Sequence, residues 1–449
     1  MKKNLEKLNR REFLGLSALG LASFTILPSW SVNGQKIAPS DRVVMGFIGL
    51  GRQGLSDFYA ASRCPGVQVV AGCDVDSLKT ARFAKKVMEW QKEAGWNQRC
   101  DSYEFYEDLL DRKDIDVVSI ATPDHWHALA AIHACQASKD VYLQKPLTYT
   151  ISESLAVKRA VRANNRVLQV GSQQRSDSEF QKAIYIVRSG MIGHIESVQV
   201  QIGEPPVPFD LPEFPVPASL NFNRWMGPLT SPKVHYHPDM CPPIDNPEMK
   251  ETGPWAVWRY YQETGNGFTG DWGAHHYDIT QAALGMDGSG PSEYIPKGYN
   301  GTKHCTMKYA NGIVVTEQII DDWKDGKPDP NEKGIKFFGT KGWLKVARGF
   351  IECSDPSVLK QIGEDRFKKP SHMQNFVDCV RSREIPIAPV EVGCSTNIMC
   401  CLNNIAHELR RPVNWDPATL SFGNDKEAEA HRLYHYDYRN PYKLPYWDE

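Results

Sequence analysis

Residues Val43–Ile48 form a short apolar run that leads straight into Gly49-Leu50-Gly51-Arg52-Gln53-Gly54. An apolar strand ending in Gly-x-Gly-x-x-Gly constrains the fold more than any other stretch of this chain. The first glycine permits a tight turn. The second lets a pyrophosphate approach the backbone, and the third lets the next helix pack close to the strand. A helix is expected over residues 55–63, beginning near Gly54 with its free N–H groups aimed at phosphates. A second apolar run, Val67–Cys73, then ends at Asp74. That spacing from the glycines is about where a dinucleotide site places its ribose-binding acid. A carboxylate there accepts hydrogen bonds from a 2′-hydroxyl and repels a 2′-phosphate, so the expected cofactor is NAD rather than NADP.

With 449 residues the chain has room for two domains. Lys and Arg number 52 against 54 Asp and Glu, which leaves no basic field to recruit nucleic acid. Helical spacing over residues 77–95, 103–110, 125–138 and 152–164 alternates with apolar runs at 116–121, 141–143 and 166–170. This alternation predicts a parallel, doubly wound sheet, an α/β domain over residues 41–171. Ligands of such sheets sit outside the carboxyl ends of the strands. Thr122, Pro123, His125, Gln144, Lys145 and Pro146 all fall at such ends. Beyond residue 190 the pattern changes. Residues 195–203 alternate like a strand with one exposed face, and 204–262 are rich in Pro, Trp and Tyr and read as a long loop region. Hairpins are expected at 304–320, turning at Asn311-Gly312, and at 334–353, turning at residues 339–342. Helices are expected at 372–381 and 395–410. The second domain, 172–411, is therefore an α+β unit with a mostly antiparallel sheet. The tail 412–449 is expected to wrap a domain or a neighbouring subunit.

Residues 1–33 stand apart. Lys2, Lys3, Lys7, Arg10 and Arg11 form a basic head, followed by an uncharged apolar run over residues 13–27. That run is shorter than the roughly 20 residues needed to span a bilayer. Asn9-Arg10-Arg11-Glu12-Phe13-Leu14 looks like a twin-arginine export motif. A removable signal and a periplasmic protein with no membrane attachment are expected; an uncleaved anchor is the alternative. The 11 cysteines include no Cys-x-x-Cys, which excludes a disulfide framework or a zinc-finger pattern. Unpaired thiols suit a route that carries proteins already folded, with a cofactor loaded before export.

Four segments give a specific resemblance: Gly49-x-Gly51-x-x-Gly54, residues 121–127 (Ala-Thr-Pro-Asp-His-Trp-His), Gln144-Lys145-Pro146, and residues 271–278 (Asp-Trp-Gly-Ala-His-His-Tyr-Asp). Together they resemble the Gfo/Idh/MocA oxidoreductases, which include glucose–fructose oxidoreductase and inositol dehydrogenase. The similarity covers residues 41–445. It implies a Rossmann domain followed by an open antiparallel sheet often used in oligomer contacts, hence a homo-oligomer, dimer or tetramer. It also implies that Lys145, the lysine of the family's Glu-Lys-Pro motif, reaches both nicotinamide and substrate hydroxyl, with Pro146 fixing the turn. Gln144 stands where the family usually has Glu; an amide hydrogen-bonds but cannot pair with a lysine's charge. Arg52, Gln53 and His127 join the glycines, Asp74 and the strand ends as expected cofactor contacts.

Asp271 and His275 lie four residues apart, so in one continuous helix they share a face. An imidazole takes a hydroxyl proton near neutral pH, and a carboxylate beside it fixes its tautomer. The two fall on the family's Asp-x-x-x-His pattern, in which the His is the proton acceptor; His276 is the alternative acceptor. Asp278 lies one helical turn on and is expected to orient neighbours at the substrate. Arg224 and Trp225 lie in a segment, residues 223–228, that resembles a family loop near the active site. Trp225, Trp255, Trp258, Tyr260, Tyr261 and Trp272 either cover the faces of a sugar or pack the core. His235, His237 and Cys241 lack a known ligand spacing, so no metal is expected. The expected chemistry is hydride transfer from a sugar C–H to NAD, with His275 as base and Lys145 steadying the alkoxide. Export implies tightly held NAD, regenerated by a second sugar. The alternatives are an NAD-dependent glycosidase or epimerase without net redox change, and a sugar-binding protein without catalysis.

Overall fold

The computed structural model describes residues 30–32, 35–37, 42–95, 98–244, 255–363, 367 and 370–447. The chain divides into two units, Met1–Arg42 and Val43–Glu449. In the first, β1 (Trp30–Val32) pairs antiparallel with β2 (Gln35–Ile37). The rest of the expected export segment, 1–33, lies outside the described residues. Among the described residues, no helix is long and apolar enough to cross a membrane.

The second unit opens with the alternation read from the sequence. The strands are β3 (Val43–Ile48), β4 (Val67–Cys73), β5 (Asp101–Tyr103), β6 (Val117–Ile120), β7 (Asp140–Leu143) and β8 (Leu168–Val170). They form one parallel sheet in the order β5-β4-β3-β6-β7-β8. Helices α1 (Arg52–Ala61), α2 (Ser77–Glu93), α3 (Tyr106–Leu110), α4 (Asp124–Gln136) and α5 (Ile151–Ala163) connect them. The strand order reverses at β3, which puts the crevice at its carboxyl end. Gly49 turns there with φ +84°, and a Cβ on it would lie 2.6 Å from the Ala121 carbonyl carbon. A Cβ on Gly54 would lie 2.0 Å from the Gly49 carbonyl oxygen, so only glycine lets α1 start this close to β3. At Gly51 an added Cβ meets none of the described atoms within 4 Å, the open approach that a pyrophosphate requires.

Beyond β8 follow α6 (Ser178–Arg188), β9 (Ile195–Gln201), α7 (Phe222–Met226), α8 (Gly267–Asp271) and α9 (Gly273–Leu284). Strands β10 (Glu293–Ile295), β11 (Cys305–Lys308), β12 (Val314–Glu317), β13 (Gly334–Gly339), β14 (Gly342–Ala347) and β15 (Phe350–Cys353) come next. The chain closes with α10 (Pro356–Gln361), α11 (His372–Ser382), α12 (Val390–Leu409), β16 (Val413–Asn414) and α13 (Lys426–Glu429). The eight-stranded sheet runs β15-β14-β13-β9-β12-β11-β10-β16. Every neighbour pair is antiparallel except β9 with β12. Both expected hairpins are present, β11–β12 closing over Tyr309–Gly312 and β13–β14 pairing Gly339 with Gly342.

Helix α12 differs from expectation by starting at Val390 rather than residue 395. Val390, Val392 and Gly393 are poor helix formers. Burial overrides them: Gly393 packs so closely on β8 that a Cβ would lie 2.5 Å from the Val170 side chain. Asn397 on the same helix donates to Ser154 Oγ of α5 at 2.9 Å, so α12 joins the two halves. The tail returns to the first half. Ile151 and Ser152 N–H groups donate to the carbonyls of Leu433 and Tyr434 at 2.9 and 2.8 Å, and Tyr438 donates to Glu153 at 2.6 Å. Glu153 also completes the capping box of α5 with Thr150. All eleven cysteines are free thiols, and ten of them are buried.

Replacing Gly54 with Ala forces a methyl into backbone that cannot move aside. Gly54→Ala is expected to lower the melting temperature and abolish dinucleotide retention, read by thermal melting and by mass spectrometry of the native protein. An unchanged melt with dinucleotide retained contradicts this packing.

Candidate active site

A cleft of about 880 Å³ opens where the carboxyl ends of the parallel strands face α8, α9 and the β14–β15 turn. This is the size range of small-molecule and cofactor sites. Gly49, Gly51, Arg52, Gln53 and Asp74 line one end. Helix α1 begins there with no side-chain cap, leaving its first N–H groups for a ligand. Asp74 is fixed by backbone donors: Leu50 N–H at 2.7 Å on one oxygen and Asp76 N–H at 3.0 Å on the other. Burial pushes its carboxyl pKa up, against the charge of nearby Lys79. Thr122 and Pro123 also line the cleft, and the Thr122 hydroxyl is buried without a partner among the described residues. The capless helix start, the open Gly51 and this orphaned hydroxyl fit a bound dinucleotide.

Gln144 and Gln53 converge on Asp57 of α1. Gln144 Nε2 donates to the two Asp57 oxygens at 2.8 and 3.0 Å, and Gln53 Nε2 donates at 2.9 Å. The amide thus pairs with an acid on α1, not with Lys145. Burial pushes the Asp57 carboxyl up to about 7 despite these donors.

At the other end, Lys145 meets Asp271 across the two halves of the unit. Lys145 Nζ donates to an Asp271 carboxylate oxygen and, at 3.3 Å, to its backbone carbonyl. Burial raises the Asp271 pKa, but the Lys145 and Arg259 charges outweigh it, so the carboxyl lies below its ordinary value. The expected Asp271–His275 pairing is therefore corrected. Trp272, between α8 and α9, keeps helical dihedrals (φ −81°, ψ −30°), so the turn continues; it is Lys145 that takes the Asp271 carboxylate. His275 lines the cleft only 6% exposed, and its buried Nδ1 has no partner among the described residues. Burial, then the charges of Lys145 and Arg348, hold its pKa well below the ordinary imidazole value, so the ring is neutral at pH 7.

The structure brings Trp272, Trp225 and Arg224 to the cleft wall as well. Arg224 is committed to protein: it pairs with Glu107, bonds the Tyr442 hydroxyl at 3.0 Å and lies 4.7 Å from the Trp126 ring. His127 lines the cleft but points both ring nitrogens at carbonyls, Pro146 at 2.8 Å and Thr122 at 3.0 Å, and burial pushes it down to about 4. Of the expected glycine contacts, Gly54 packs on the Gly49 carbonyl instead of lining the cleft, and three expected side-chain contacts fall elsewhere. His125 is fully buried with Nε2 on the Trp225 carbonyl at 2.9 Å. His276 is fully buried and stacks on Trp272 at 5.5 Å. Asp278 is held by Arg175 at 2.7 Å and by Thr396 at 3.3 Å. None of the three lines the cleft. Their helices α4 and α9 are buried nearly all round, so side-chain spacing gives no inward face.

Sequence reasoning passed over Asp124 and Arg348, which both line the cleft. Asp124 is 4% exposed, and burial pushes its carboxyl up to about 8 against the Lys145 charge. Its position in the strand-end segment 121–127 was the available signal; Arg348, in a hairpin turn, carried none. Among the described residues no group of three His, Cys, Asp or Glu is placed to hold a metal. His235 and His237 instead bond backbone, the Leu211 carbonyl at 2.7 Å and the Asp239 N–H at 3.1 Å.

Residues 43–172 match a profile described as an oxidoreductase family, NAD-binding Rossmann fold, and residues 208–444 match the C-terminal alpha/beta domain of the same family. A glycosyl hydrolase family 109 protein of Shewanella pealeana is 32% identical over 205 residues, 42% of this chain and 44% of that one. The match thus spans under half the length of that relative. A glycosyl hydrolase family 109 protein of Stenotrophomonas maltophilia is 27% identical over 82% of each chain. Among solved structures, scyllo-inositol dehydrogenase of Lactobacillus casei, crystallised with NAD(H) and scyllo-inositol, has the same fold. Its TM-score is 0.52 at 16% identity, covering 83% of this chain and 99% of that one.

Lys145→Met removes the cation paired with Asp271 and is expected to lower kcat by about 100- to 1,000-fold, the usual cost of one oxyanion-stabilising group. Because Lys145 depresses the His275 pKa, the acid limb of the pH–rate profile lies below the ordinary histidine value in the parent and moves upward in the variant. A parent limb at or above that ordinary value contradicts the neutral, buried His275.

Proposed function

Since the chain belongs to the Gfo/Idh/MocA oxidoreductase family, we propose that it oxidises or reduces a ring carbon of a sugar, glycoside or cyclitol with NAD. The observation that carries this reading is the convergence of Lys145 from β7 and Asp271 and His275 from the α8–α9 junction on one cleft. Bound NAD supplies the hydride acceptor or donor. His275, neutral and with Nδ1 sealed in protein, offers Nε2 to take the proton of the reacting hydroxyl. Lys145 Nζ stabilises the alkoxide that forms. Asp271 accepts from that ammonium and aims it. Gly49, Gly51, the start of α1 and Asp74 hold the pyrophosphate and ribose. The twin-arginine segment supports export to the periplasm, which has no free NAD pool. In this reading NAD is loaded before export, stays bound, and is regenerated by a second sugar. The protein assembles as a homo-oligomer.

The relatives named as glycosyl hydrolase family 109 favour a second reading. Oxidation at one ring carbon acidifies the neighbouring C–H; loss of that proton expels the aglycone by elimination, water adds to the resulting enone, and return of the hydride reverses the oxidation. Asp124, protonated at neutral pH because burial holds its pKa near 8, can donate to the departing oxygen.

Purified protein is to be examined by native mass spectrometry, then mixed with sugars and with chromogenic glycosides without added cofactor. The first reading predicts retained dinucleotide and the absorbance band of reduced nicotinamide on adding a sugar. The second predicts aglycone release with no lasting reduction. Protein that retains and binds no dinucleotide, and turns over neither class, contradicts both.

A further inference from the structure

We propose that the substrate is an acidic sugar, one whose ring carries a carboxylate, sulfate or phosphate, and that Arg348 receives that anion. The inference rests on the oxidoreductase reading and narrows its substrate class. Arg348 sits in the turn between β14 and β15, lines the cleft, and is open to it. Its guanidinium lies 4.6 Å from the Trp272 ring, and that ring stands 6.1 Å from the ring of His275. The cation thus lies near the proposed base, and both line the same cleft.

Among the described residues Arg348 makes no hydrogen bond and no ion pair; the Trp272 stack is its one specific contact. The acids that could neutralise it are taken. Asp271 holds Lys145. Asp177 caps α6, accepting from the Glu179 N–H at 3.1 Å and the Phe180 N–H at 3.5 Å. Asp124 has its carboxyl pKa raised by burial. The Lys145–Asp271 pair cancels, and the guanidiniums of Arg348 and Arg259 outnumber the remaining Asp177 carboxylate on the same cleft. A guanidinium presents a planar fork that matches a carboxylate or an oxyanion with two parallel bonds, and stacking on an aromatic face preorganises it.

A polar side chain on the same wall awaits a partner too. Gln174 lines the cleft at 3% exposure, and neither its amide nitrogen nor its oxygen has a partner among the described residues. Chemistry gives a second reason for an anion. Arg348 pushes the His275 pKa down. A cation that weakens a general base is a handicap until it is neutralised. An anionic substrate removes the handicap on arrival, so the base is strongest when the correct substrate is bound.

The test measures Kd by tryptophan fluorescence and reduction of bound NAD, using the full holoprotein. The probes are glucose and galactose, their uronates, their 6-sulfates and their 6-phosphates, each at low and high salt. At least one acidic form is expected to bind about tenfold or more tightly than its neutral parent, with the advantage shrinking in salt. Which acidic form gains identifies the anion. In Arg348→Met the acidic-to-neutral ratio falls towards one; Arg348→Lys keeps part of it, which separates lost charge from misfolding. Arg348→Met also moves the acid limb of kcat/KM upward. Equal binding of acidic and neutral sugars by the parent, or an undiminished preference in Arg348→Met, overturns the proposal. Neutral sugars oxidised as well as acidic ones overturn it while leaving the oxidoreductase reading intact. Acidic sugars bound through Arg348 but never oxidised overturn that reading and leave the anion site standing. No binding of any sugar overturns both.

Discussion

One contact across two halves of the chain organises the site: the Lys145 ammonium on the Asp271 carboxylate. Lys145 lies two residues beyond a strand of the parallel sheet, and Asp271 ends a short helix of the second half. Neither side chain is fully out of water, at 17% and 21% exposure. The attraction is therefore weaker than in a dry interior, where removing one partner of an ion pair costs about 3–5 kcal/mol. Its larger consequence is chemical. With Lys145 held by Asp271, its ammonium is fixed in the cleft where an alkoxide would form. Burial, helped by the same charge, keeps His275 neutral and able to accept a proton. The aspartate acts on the imidazole through the lysine, not by touching it.

The rest of the molecule holds these groups in register. Helix α12 packs on α5 and on the outer end of β8, so the two halves share a wall. The tail lays Leu433 and Tyr434 along the start of α5 and delivers two tyrosine hydroxyls to buried Glu153. Arg175, just beyond β8, bonds Asp278 one turn after His275 and so pins α9 to the nucleotide-binding half. Gln144 plays a matching part: bonded to Asp57 beside the glycine turn, it ties the strand that carries Lys145 to the helix that begins at the phosphate site.

The nucleotide-binding half was legible because its signals are local. A strand period, three glycines with separate steric duties and an acid at the end of the next strand need no distant partner to be read. The hairpins at 304–320 and 334–353 were readable for the same reason. The errors fall where long-range packing decides. Asp271 and His275 have helical spacing, but the carboxylate's partner, Lys145, lies 126 residues earlier in the chain and was invisible in that spacing. His125, His276 and Asp278 lie on helices buried on nearly every side, so no polar face marks which neighbour meets the cleft. Arg348 comes from a turn some seventy residues along the chain from Trp272, with nothing in its surroundings to set it apart.

The central claim is that one ammonium and one imidazole, contributed by different halves, act as a unit on the same hydroxyl. A double-mutant cycle on the rate of reduction of bound NAD tests this most directly, comparing Lys145→Met, His275→Gln and the pair. Groups acting as a unit are strongly non-additive, so the double variant is predicted to be little slower than the worse single one. If the two losses multiply independently, Lys145 and His275 do not serve one reacting group, and the account is wrong.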